Sequence, residues 1–292
     1  MESAAHYIGT HALLVFGIGC LLMLVLTRVA WRLLERHGDA LWQRLAQSWQ
    51  ALAASPAATR LAQRFPRLRT QLARPLTAGH YLGVHGGIGF AVALIALCGF
   101  FAIADEIGLG EKLDRFDHAL AATLRDSLQP ATYRVFGALT HFGDARVLTA
   151  LGIAIAALLL WRRQRLLCAG WILALAGNGL LIRLLKAEFQ RARPLHDHSG
   201  VVANGWSFPS GHSAGALVVY GMLAYLLVRV TPRAWHPPIA LGAIAIILLV
   251  GSSRIFLQAH FFSDVAAGYC CGMAWLAISI AGIEIALRHR RS

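Results

Sequence analysis

The sequence predicts an all-α fold, a polytopic bundle of transmembrane helices, and three observations carry that expectation. The 292 residues are 57% hydrophobic and only 14% charged, and the mean hydropathy is +0.58, too apolar for a soluble domain. Seven apolar runs recur, near 10–27, 82–104, 147–160 with flanks, 166–185, 212–229, 237–252 and 264–287. Allowing the roughly 20 residues that a helix needs to cross a bilayer, each reads as a span. Finally, arginines cluster in the segments between runs. A formal charge of +13 would raise nucleic-acid binding in a soluble protein, but here topology and lipid headgroups account for it, so no nucleic-acid partner is expected.

The first run follows Met1-Glu-Ser-Ala-Ala-His, which lacks the basic residues of a cleaved signal, and is expected to be a retained helix. Residues 28–80 differ in character. Leu34, Leu41, Leu45, Trp49 and Leu52 recur at helical spacing among arginines, and Leu61, Phe65, Leu68 and Leu72 repeat the pattern across Pro66. This suits a helix on the inner membrane surface, or a solvated basic hairpin or partner-binding arm. The second run opens with Gly83, Gly86, Gly87 and Gly89, small residues that allow close helix packing. The 105–146 connector places Leu113, Phe116, Leu120 and Leu124 at helical spacing, predicting an amphipathic helix at the outer surface.

Helix parity and charge orient the chain. One side, holding 28–80, 161–165, 229–236 and 288–292, carries seventeen Lys and Arg, and the other carries ten. The positive-inside rule puts the first side, with the C-terminus, in the cytoplasm. The five cysteines, Cys20, Cys98, Cys168, Cys270 and Cys271, lie in apolar runs without metal-ligand spacing and read as small buried hydrophobes. His196, Asp197 and His198 form a polar cluster in an outer loop that reads as solvated rather than as a metal site.

Three stretches bring chemistry to the outer side. Lys186 to Pro194 reads K-x6-R-P, Pro209-Ser210-Gly211-His212 reads P-S-G-H, and Ser253 to Asp264 reads S-R-x5-H-x3-D. In that order they resemble the type 2 phosphatidic acid phosphatase (PAP2) family, in its integral membrane lipid phosphatase branch. The resemblance implies a six-helix phosphatase domain over 82–292, with 1–81 contributing one extra N-terminal transmembrane helix and the basic segment. It also implies a phosphohistidine intermediate on the second histidine and no metal or other cofactor. Soluble vanadium haloperoxidases share the motifs, but seven apolar spans restrict that relation to site geometry.

The residues themselves suit the chemistry. His260 and Asp264 are four apart, so on a helix the carboxylate can orient one ring nitrogen and leave the other free as a nucleophile. His212 can donate a proton to the departing oxygen. Lys186, Arg193 and Arg254 can spread positive charge over phosphoryl oxygens, and Ser210 with the Gly211 backbone N–H can complete the cradle. One histidine at a membrane edge has a structural explanation; two with an aspartate and three cations do not. The expected activity is hydrolysis of a lipid phosphate monoester or pyrophosphate at the outer face, in a bacterium the periplasmic side of the inner membrane. The partners are a phosphorylated lipid substrate and membrane lipids; the oligomeric state is left open. A lipid phosphotransferase is the alternative enzyme, and a lipid-binding scaffold or transporter the alternative of another class.

Overall fold

The computed structural model describes residues 81–107, 112–128, 130–194 and 205–289, with isolated positions between 18 and 51. The first expected span, the basic segment 28–80 and the His196–His198 cluster lie outside the described residues, isolated positions apart. The chain divides into two compact units, Val25–Ile88 and one containing Gly89–Ser292. The motifs all fall in the second.

Among the continuously described residues, eight α-helices run in order: α1 (Tyr81–Glu106), α2 (Lys112–Ser127), α3 (Pro130–Thr140), α4 (Ala145–Trp161), α5 (Arg165–Phe189), α6 (Gly211–Val228), α7 (His236–Phe256) and α8 (Phe262–His289). Short 3-10 turns, His141–Gly143 and Arg233–Trp235, precede α4 and α7. Among the described residues, six stretches are long and apolar enough to cross a membrane: Gly89–Glu106, Pro130–Trp161, Arg165–Phe189, Gly211–Val228, Arg233–Phe256 and Phe262–Leu287. These are the second to seventh expected spans.

Helix α6 is the axis of the bundle. It is apolar on every side, as a helix surrounded by others must be, and Ser213 to Tyr220 and Met222 are buried against α5, α7 and α8. The outer helices are built the other way. Ile95 is 72% and Leu173 68% exposed, a cost that water would impose and lipid does not. Indole N–H groups tie the layers together: Trp171 donates to Gly152 O at 2.9 Å and Trp275 to Ala174 O at 2.8 Å, each satisfying a donor that hydrocarbon could not. On α8, a side chain at Gly268 would come within 2.6 Å of Ser210 O, so glycine is what lets this helix lie against the turn leading into α6.

Two details of the 105–146 connector go beyond its predicted amphipathic helix. The 105–146 connector holds two helices, because Pro130 starts a second at a position where its missing N–H costs nothing. The apolar face of α2 is packed inside the protein. Leu120 and Leu124 are buried with Phe136 of α3 and Phe256 and Leu257 at the end of α7, and the Phe136 and Phe256 rings stack at 4.3 Å.

Candidate active site

The motifs meet at one end of the bundle. Lys186 lies in the last turn of α5, Gly211 and His212 begin α6, Arg254 lies in the last turn of α7, and Asp264 lies in the first turn of α8. Helix α5 stops because Gln190 takes a left-handed conformation (φ 44°) that returns its N–H to Lys186 O, which releases Arg191 and Arg193 toward the neighbouring helix ends.

His260 is not on a helix, contrary to the reading of its four-residue spacing from Asp264. It belongs to the link 257–261 between α7 and α8. Gln258 turns this link with φ 54°, and the N–H groups of Ala259 and His260 both donate to Arg254 O at 3.0 and 3.2 Å. Asp264 then reaches back over the link: its Oδ2 accepts the Phe261 N–H at 2.9 Å and lies 3.4 Å from His260 Nδ1. Ser207 Oγ donates to the same carboxylate oxygen and sits 3.3 Å from His260 Nδ1. On the other side of the ring, Nε2 faces Arg193 Nη1 at 3.3 Å. Guanidinium has only donors, so Nε2 must offer its lone pair and the proton resides on Nδ1. The residue is 3% exposed, and burial pushes its pKa down to about 3, with the Arg193 and Arg254 charges adding to burial and Asp264 opposing it.

The cations differ in what they hold. Lys186 donates to the Trp206 and Ser207 carbonyls, the latter at 3.1 Å, and Arg193 donates to Gly205 O at 2.9 Å and Ala259 O at 2.5 Å. Both therefore shape the loop around His260. Arg254 is buried, gives Nη1 to Thr140 Oγ1 at 2.7 Å, and keeps its buried Nε without a partner among the described residues. Such an orphaned donor next to two histidines suits an anionic ligand. Ser210 shapes the turn that enters α6. Its Oγ caps α6, accepting from Ser213 N–H at 3.4 Å and Ser213 Oγ–H at 3.0 Å, and its own N–H donates to Asp264 O at 2.9 Å. The N–H of Gly211 stands at the positive end of that helix.

Four site residues escaped the sequence reading. Ser207 is one. Arg191, inside the first motif but without a role there, gives Nη1 to Asp264 Oδ1 at 2.9 Å and Ser263 Oγ at 2.7 Å, and Nη2 to Asp114 Oδ1 at 2.8 Å and Asp117 Oδ2 at 3.1 Å. Burial opposes the charge on Arg191, but the Asp264 and Asp117 carboxylates outweigh it and raise its pKa. Asp117 is 1% exposed, accepts from both the N–H and Oγ–H of Ser263, and is pushed up by burial against those bonds and Arg191. The fourth, Asp144, lies 3.0 Å from His212 Nε2 through Oδ1 and 2.6 Å from His141 Nδ1 through Oδ2.

Comparison with known proteins decides the family. The family model described as the PAP2 superfamily matches residues 165–286. Phosphatidylglycerophosphatase B of Bacillus subtilis is 35% identical over 150 residues, spanning 50% of this chain and 72% of that one. The chain belongs to the PAP2 superfamily. A lipid A 1-phosphatase of Rhizobium etli is 31% identical over 191 residues, covering 57% of this chain and 76% of that one. The crystal structure of a transmembrane PAP2 type phosphatidylglycerolphosphate phosphatase from Bacillus subtilis superposes with a TM-score of 0.61 at 29% identity, over 66% of this chain and 96% of that one. The protein is accordingly an integral membrane phosphatase of the PAP2 type, all-α, whose motif residues gather around one buried histidine.

Proposed function

We propose that this protein removes phosphate from a lipid phosphate monoester or pyrophosphate through a phosphohistidine on His260, at the outer face of the membrane. The observation that carries the reading is the environment of His260: a buried imidazole with its proton fixed toward Asp264 and Ser207 and its Nε2 lone pair beside Arg193. Nε2 attacks phosphorus and the bond to the lipid oxygen breaks. That oxygen keeps the electron pair and takes a proton from His212, and water, activated by the same histidine, then cleaves the N–P bond. Lys186, Arg193 and Arg254 balance the charge on the transferring group, which supports chemistry without a divalent ion. Ser210 shapes the P-S-G-H turn as the α6 cap, and the Gly211 N–H faces the phosphoryl group.

The names of the relatives, phosphatidylglycerophosphatase B and lipid A 1-phosphatase, support a lipid phosphate as substrate. Residues 82–292 would form the phosphatase domain, with 1–81 before it, and the C-terminus would lie in the cytoplasm with the site in the periplasm. The test is phosphate release by the purified protein from phosphatidylglycerophosphate, lipid A, undecaprenyl pyrophosphate and phosphatidic acid, in excess EDTA. Release from at least one lipid, inhibited by vanadate, is expected. Activity lost to EDTA and restored by one metal would contradict the charge assignment, and a phosphorylated second lipid in place of free phosphate would make the enzyme a transferase.

A further inference from the structure

Asp144 occupies the N-cap position of α4, where an aspartate ordinarily accepts the unpaired N–H groups of the first turn. Its side chain makes no such bond. Both carboxylate oxygens are instead turned to imidazoles, one to His212 and the other to His141. The turn that carries Asp144 is pinned to the helix that carries His212: Tyr220 of α6 donates its O–H to Phe142 O at 2.8 Å. A side chain at Gly143 would run into Val250 and come within 3.2 Å of His212 Cδ2, so glycine is what allows this turn to lie against the ring. A carboxylate accepts only, so the His212 nitrogen facing it, Nε2, carries a proton.

We propose that Asp144 is the positioning residue of the acid–base histidine: it holds the Nε2–H of His212 and so presents Nδ1 as the nitrogen that exchanges protons with the substrate. The inference rests on the phosphohistidine reading given above. The site then contains two carboxylate–imidazole pairs, Asp264 with His260 for the nucleophile and Asp144 with His212 for the proton donor. As the P–O bond to the lipid breaks, the leaving oxygen retains the electron pair and takes the proton from Nδ1, leaving a neutral ring with Nε2–H still on Asp144. When water attacks the phosphohistidine, Nδ1 recovers a proton from it, and the carboxylate stays ionised throughout. Asp144 is the anion that faces the His212 ring.

An alkyl oxygen cannot leave without a proton, whereas p-nitrophenolate can, and this difference isolates the role. The experiment follows first-turnover release from an alkyl lipid phosphate and from p-nitrophenyl phosphate by the purified full-length protein. In Asp144→Asn the ratio of nitrophenyl to alkyl release is expected to rise about 10- to 100-fold over wild type, short of the ~10²–10⁴ that loss of a general acid costs. Asp144→Glu keeps the charge on a longer arm and is expected to give an intermediate ratio. Vanadate binding identifies variants whose site is intact; should the Asn protein not fold, the Glu ratio decides. Equal slowing of both substrates would make Asp144 merely structural, and an unchanged ratio would remove it from the reaction; either result overturns the proposal. Failure of the underlying reading shows separately, as a His212→Ala protein that binds vanadate yet has no raised ratio.

Discussion

His260 is held where a charged imidazole is disfavoured, and that has a consequence for folding as well as for chemistry. Its pKa falls from the ordinary 6.5 to about 3, first through burial and then through Arg193 and Arg254. Between those values the unfolded chain takes up a proton that the folded protein refuses, so folding stability is full above pH 6.5 and declines as pH falls toward 3. Thermal unfolding in detergent should therefore show a drop in Tm over that window that is smaller in His260→Gln. An identical pH dependence in the two proteins would contradict the burial assigned to this ring. At this scale the sequence pointed to the groups that the fold brings together, because imidazole, carboxylate and guanidinium in fixed spacings have few other uses. It did not show Ser207, a common residue type in a loop, since only the folded chain brings it to Asp264.

Arg191 joins three elements, and its effects belong at that level. Through Asp114 and Asp117 it ties α2 to the start of α8, where it also meets Asp264. Removing the cation leaves Asp117 and Asp264 buried without their partner, a loss on the order of 3–5 kcal/mol. Arg191→Gln should thus lower stability by about that amount and turnover with it. Arg191→Lys, which keeps charge but loses the planar fork, should fall between. Denaturant unfolding and phosphate release check both, and a wild-type midpoint for Arg191→Gln would contradict the network. One signal of this network was present in the sequence. Asp117 falls on the stripe formed by Leu113, Phe116, Leu120 and Leu124, and an acid on an apolar face asks for a buried partner. Asp144 carries no such signal, since an aspartate before an apolar run is what a helix cap requires. The spacing of His260 and Asp264 also misled, because four residues bring two side chains together in a turn entering a helix as well as within one.

The apolar runs made the described bundle legible, because hydrocarbon leaves a chain few ways to satisfy its backbone; α3 was missed because its 11 residues are too few to read as a span by themselves. Orientation is a property of the whole molecule, and the one proposed here rests on seventeen Lys and Arg on one side against ten on the other. In a cysteine-free background, His198→Cys should react with an impermeant thiol reagent outside intact cells, while Gln164→Cys and Ser292→Cys should react only after lysis. The reverse pattern would put the site in the cytoplasm. The central claim is that the phosphoryl group passes through His260, and the most direct measurement is isolation of that adduct. Protein quenched under alkaline conditions during turnover of a labelled lipid phosphate should carry an acid-labile label on the peptide containing His260, and His260→Ala should carry none while still binding vanadate more weakly. Full turnover in His260→Ala, or a label on another residue, would contradict the account.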